Sequence, residues 1–135
     1  MKTKTTVPGD IILIPLEEGF KPAKVLYTSK HYKGVILLGI YKESVFSQEM
    51  PTNLPDVFEL LLYTSKLPIQ KQRWFYVGHE ELKPTQTNLD LRVVAGNLWQ
   101  GDTTLGPASE EDKKNLPEML VMGAGLVEKK AAAIK

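Results

Sequence analysis

The sequence predicts an α+β domain: a curved, mainly antiparallel β-sheet, or a small barrel-like sheet, of six to seven strands, with one or two short C-terminal helices. Three observations carry this. Apolar, β-type runs follow one another at short spacing through residues 10–41. An aromatic run, Trp74-Phe75-Tyr76-Val77, stands in the middle of the chain. The last quarter then changes to helix-start and helix-face signals.

Gly9-Asp10-Ile11-Ile12-Leu13-Ile14-Pro15-Leu16-Glu17-Glu18-Gly19 packs a strand start, a fully apolar run, a strand-ending proline and a turn glycine into eleven residues. A run that apolar needs cover on both faces, so it marks where the core begins. Asp10–Leu16 is the first strand, Glu17-Glu18-Gly19 the turn, and Ala23–Ser29 the returning strand of a hairpin. Lys30–Gly34 is the next loop and Gly34–Tyr41 a third strand, so short connections favour a meander. Lys42–Asp56, with Pro51, Asn53 and Pro55, reads as a long loop. Val57–Ser65 returns to apolar character, and Leu62-Tyr63-Thr64 tips it toward strand. Lys66–Gln72 is a polar connection around Pro68.

Leu89–Val94 alternates, with Leu89, Leu91 and Val93 on one face and Asp90 and Arg92 on the other. Leu98-Trp99-Gln100 is a short strand ahead of a Gly101–Pro107 loop. Ser109-Glu110-Glu111-Asp112 resembles a capping box, and its acidic first turn suits the helix dipole; Pro117 keeps that helix short. Met119–Met122 is a brief strand, and Gly125–Ile134 a helix with Val127, Ala131 and Ile134 on one face. The pentapeptide Leu26-Tyr27-Thr28-Ser29-Lys30 recurs at Leu62-Tyr63-Thr64-Ser65-Lys66. Two strand ends with similar needs explain it, with duplication as the alternative.

A length of 135 residues fits a single domain over 1–135, with residues 1–8 expected as a loosely ordered N-terminal segment. With 42% hydrophobic residues the chain is a folding one, and with no cysteine it forms no disulfide and no thiolate metal site. The stretch after Met1 leads into no signal-type apolar run, and no run approaches the length of a membrane span, so a cytoplasmic protein without a membrane partner is expected. The net charge is +1, and only Arg73 and Arg92 of seventeen basic residues are arginine. Lysine-dominated, balanced charge points to a solvated surface and away from nucleic acid.

No residue set demands a chemistry. Gly123-Ala124-Gly125 lacks the third glycine and the βαβ context of a dinucleotide site. His79-Glu80-Glu81 lacks a second histidine at the zinc-protease spacing, and His31 stands alone in a loop, so both histidines are expected in solvated turns and no metal or cofactor is expected. Trp74 is a core residue. Trp99 plugs the end of a barrel or, alternatively, anchors a partner. The candidate partner-binding residues are Trp99, Asp102, His31, Tyr32, Glu43, Glu49 and Asp56, with Glu110, Glu111 and Asp112 as a second acidic group.

The hairpin resembles that of the immunity protein 26 family of bacterial toxin–immunity systems, through Gly9, Asp10, Ile14, Pro15, Leu16 and Gly19, then Val25 and Leu26. Trp74 with Val77-Gly78, and Leu116-Pro117 followed by Gly125 and Val127-Glu128, resemble that family's later positions; Ala23 after Pro22 departs from its glycine at the second strand. The resemblance implies a non-enzymatic protein that binds and occludes a cognate protein toxin. It brings no residue-level binding site. Toxins of the MazF and PemK type, small SH3-like barrels that act on RNA, also begin with a Gly-Asp strand and form the alternative, as does a general protein-interaction module. An RNA-cleaving site needs arginine near the scissile phosphate, and neither Arg73 nor Arg92 follows the first strand.

Overall fold

The computed structural model describes residues 5–29, 34–87, 89, 91–100, 102–116 and 121–134. Its fold is α+β: an open six-stranded sheet, a separate three-stranded sheet and three short helices. The main sheet runs in the order β5-β1-β2-β3-β4-β9. It comprises β1 (Asp10–Pro15), β2 (Phe20–Thr28), β3 (Val35–Ile40), β4 (Leu60–Ser65), β5 (Phe75–His79) and β9 (Val121–Met122). All its pairings are antiparallel except β4 with β9. The second sheet is the antiparallel meander β6 (Leu91–Val94), β7 (Asn97–Gln100) and β8 (Thr103–Pro107).

The expected hairpin forms, with Ile12 opposite Ala23 and Pro15 opposite Phe20. β2 begins earlier than expected, because Phe20 closes the turn opposite Pro15 and pairs on its other side with Val45. Two segments differ from their expected form. The Gly101–Pro107 stretch, expected as a loop, is strand β8 from Thr103 onward. It is an edge strand, where Gly106 and Pro107 are tolerated because no further strand needs their backbone groups. The Lys66–Gln72 connection contains one helical turn, α1 (Leu67–Gln70), with Pro68 in its first turn where the missing N–H costs nothing.

Helix α2 (Glu110–Asn115) carries the full capping box: Asp112 N donates to Ser109 Oγ and Ser109 N to Asp112 Oδ2, both at 3.0 Å. Leu116, which precedes Pro117, is extended, the conformation that the following proline ring favours. Helix α3 (Ala124–Ala133) buries Val127 and Ala131.

Strand alternation and register sort the main sheet into two faces. Ile12, Ile14, Ala23, Val25, Ile36, Leu38, Ile40 and Leu62 lie on one and, with Trp74, pack under Val127 and Ala131 of α3. Glu128 fastens this helix: its carboxylate accepts Trp74 Nε1 at 3.1 Å and both arms of Arg73 at 2.8 and 2.5 Å. The Arg73 hydrogen bonds hold the Glu128 carboxyl below its ordinary range, against a smaller upward push from burial. On the opposite face, Leu26, Leu37 and Tyr63 pack with Phe58, Leu82 and Leu89.

Candidate functional site

The second face of the sheet is closed by three covering segments, each held through side chains the alternation pattern alone does not flag. The first is the loop 41–59. Val45 makes a two-bond bridge with Phe20, N to O at 2.7 and 2.8 Å. Further on, Met50 lies on Gly78 and the Phe58 ring on Gly39; a Cβ at either glycine would come within 2.5 Å of them. Phe58 also meets the Tyr41 ring at 4.9 Å, and Glu59 N donates to Ile40 O at 2.8 Å. The loop is thus tied down near its start, its middle and its end, at Val45, Met50, and Phe58 with Glu59. It still leaves Phe46 and Val57 78% and 73% exposed. Val57 borders a groove of about 230 Å³ lined also by Asp56, Phe58, Leu61, Thr85 and Leu89.

The second covering segment is 80–86. Lys24 projects from β2 between Ala23 and Val25 and is 0% exposed. Its ammonium donates to Glu80 Oε1 (3.1 Å), Glu81 O (3.0 Å) and Gln86 Oε1 (2.9 Å), which saturates its three protons. Gln86 in turn donates through Nε2 to Asp56 O at 3.0 Å, joining this segment to the loop. The Asp56 carboxylate pairs with Lys83.

The third is the three-stranded sheet. Arg92 of β6 is 0% exposed, and its guanidinium carbon sits 5.2 Å from the Tyr27 ring, 5.5 Å from Tyr63 and 6.0 Å from Trp99. A desolvated cation over aromatic faces is worth about 2 kcal/mol, which makes this contact a substantial part of the docking. Beside it Asp102, in the β7–β8 turn, accepts from Tyr27 Oη and from Ser29 Oγ, the latter at 2.7 Å. Burial first, and the Asp102 carboxylate second, push the Tyr27 hydroxyl above its ordinary pKa.

This cluster gives the repeated pentapeptide a role. Tyr27 and Tyr63 both pair with Leu37, and Thr28 and Thr64 both pair with Ile36. The two copies therefore flank β3 in the same register, and their tyrosines form two walls around one arginine.

The expected site residues fall in different places. Trp99 and Asp102 join the Arg92 cluster, with Trp99 half-buried and Asp102 exposed. Glu43 and Glu49 are exposed on the pinned loop, and Asp56 sits at its far end against Lys83. Glu43 and Glu59 face Lys21, whose buried ammonium donates to Lys42 O at 2.7 Å; burial lowers its pKa and the two carboxylates partly restore it. Glu110, Glu111 and Asp112 form the first turn of α2, remote from that loop in the chain. His31 and Tyr32 lie outside the described residues. His79 ends β5 rather than occupying a turn, and its Nδ1 is 2.9 Å from the buried Asp10 carboxylate. Arg92 is buried under the aromatic rings, and Arg73, at the surface, is paired with Glu128.

Among the described residues no cluster of three or more His, Asp or Glu side chains is arranged to hold a metal ion, and no helix is long and apolar enough to cross a membrane. Comparison of the chain with family models, with curated proteins and with solved structures gives no match.

Proposed function

We propose that this protein is a non-enzymatic inhibitor of the immunity-protein kind, which neutralises a cognate bacterial toxin by covering part of its surface. The observation that carries the reading is the loop 41–59. It holds Phe46 and Val57 in solvent on a backbone fixed to the sheet at Phe20, Gly78 and Gly39. Large apolar side chains kept outside on an ordered backbone cost solubility, and they serve as anchors whose ordering entropy is already lost before binding. The hairpin positions that resemble the immunity family, Gly9 to Leu26, form the scaffold to which this loop is tied at Phe20. The RNA-acting alternative needs an arginine turned toward a phosphate, whereas Arg92 is buried and Arg73 is taken up by Glu128.

The test is co-expression with a toxin encoded beside this protein's gene. The expected result is rescued growth and a complex that travels as one species on a sizing column. Arrested growth with two separate peaks contradicts the reading.

A further inference from the structure

Phe46 is the most exposed of the large apolar side chains among the described residues. Its position is set by the hairpin turn. Gly19 takes a φ of +78°, a conformation that disfavours side chains, and a Cβ there would stand 2.5 Å from Val45 O and 2.8 Å from Phe46 Cδ1. The ring therefore rests against the turn backbone while Val45 is held by Phe20 on both sides of its peptide. The surroundings are charged in one sense. The turn contributes Glu17 and Glu18, and the loop contributes Glu43 and Glu49, all exposed. Against these four carboxylates stand Lys42 in the same two segments and the inward-turned Lys21 ammonium, which faces Glu43. A chain of net charge +1 thus places four carboxylates in the two segments that carry and touch its most exposed aromatic ring.

We propose that Phe46 is the anchor of a docking site for a basic protein surface. The phenyl ring enters an apolar pocket on the partner, and lysine or arginine side chains around that pocket meet Glu17, Glu18, Glu43 and Glu49. This rests on the reading of the protein as an inhibitor and names the chemistry of its partner. A rigid aromatic centre with a charged rim divides the labour in the usual way: the ring sets the dissociation rate, and the rim sets the association rate and its salt dependence.

The experiment has two arms. In the first, the co-encoded toxin is titrated against the wild type, Phe46→Ala, and the combined Glu17→Gln, Glu18→Gln, Glu43→Gln, Glu49→Gln variant, at low and high salt. Phe46→Ala is expected to weaken binding about 30-fold, through faster dissociation. The combined variant is expected to slow association about tenfold at low salt and to flatten its salt dependence. A complex that both variants form as tightly and as fast as the wild type overturns this site and leaves the inhibitor reading standing. The second arm needs no toxin: cytochrome c, a basic protein, is titrated into labelled protein at low salt and amide shifts are recorded. Shifts confined to residues 16–20 and 42–50, and lost in the combined variant, support a basic-partner surface. Shifts elsewhere, or none, overturn it. Failure of the wild type to bind the toxin counts against the inhibitor reading, and the second arm then decides the basic-partner surface by itself.

Discussion

Under α3 the main sheet presents Ile12, Val25, Leu38 and their neighbours to Val127 and Ala131. On the other face it presents Lys24, Tyr27 and Tyr63 to Glu80, Gln86, Arg92 and the loop 41–59. The apolar side is held by area removed from water, which is non-directional and accepts any well-shaped occupant. On the other side Lys24, Gln86, Tyr27 and Ser29 each donate to a particular acceptor on a covering segment, which fixes where those segments sit. The difference teaches where rigidity outside the core comes from. A long loop with no regular structure of its own is held by backbone bonds at Val45 and Glu59, by the Gln86 bond to Asp56 O, and because Gly39 and Gly78 let Phe58 and Met50 reach the backbone.

The comparison can be broken from either side. Trp74→Ala removes the largest side chain of the apolar face and is expected to cost about 3–5 kcal/mol in denaturant unfolding; a loss below about 1.5 kcal/mol contradicts that face's dominance. Lys24→Met keeps the length and removes the charge. Glu80, Glu81 O and Gln86 Oε1 then lose their common donor, for a cost of about 3 kcal/mol. Ile12→Leu, a rearrangement of equal volume on the other face, is expected to cost less than about 1.5 kcal/mol. Equal costs for the two would remove the distinction between the faces.

Arg92→Leu keeps an apolar filler but loses the cation over three rings, about 2 kcal/mol, and is expected to change Trp99 fluorescence as the small sheet loosens. Unchanged emission and unfolding would mean that this sheet docks by other means. The smallest effect is one of pH. The Glu128 carboxyl titrates below its ordinary value in the folded chain, chiefly through Arg73. Its contribution is therefore complete above the unfolded carboxylate range and is lost as pH falls through the lowered folded pKa. Acid titrations of stability should show a shallower limb in Arg73→Ala than in the wild type.

The apolar face was legible in the sequence because period-two patterning and helix spacing report burial directly. The strands from Asp10 to Tyr41, the capping box at Ser109 and the inward face of α3 all follow from it. The polar face was not, because alternation assigns charged residues to solvent. Alternation puts Arg92 opposite the apolar side of its strand, yet both it and Val93 are buried. Strand β8 was hidden by Gly106 and Pro107, which read as loop unless the strand is known to be an edge. Two signals were present in the sequence. Lys24 interrupts an apolar strand between Ala23 and Val25, and the repeated Leu-Tyr-Thr-Ser marks the two strands that flank β3. Of the candidate partner residues, Trp99 and Asp102 proved to share a cluster and Glu43 and Glu49 a loop. The exposure of Phe46 is not legible either, because nothing local in the sequence distinguishes an exposed phenylalanine from a buried one.

Amide hydrogen exchange of the native protein tests the central claim most directly, because the claim is that the loop 41–59 is fixed to the sheet. The Val45 amide, bonded to Phe20 O, and the Glu59 amide, bonded to Ile40 O, are predicted to exchange as slowly as the strand amides of β2 and β3. Exchange of both at the rate of an open chain, while β2 and β3 stay protected, would contradict it.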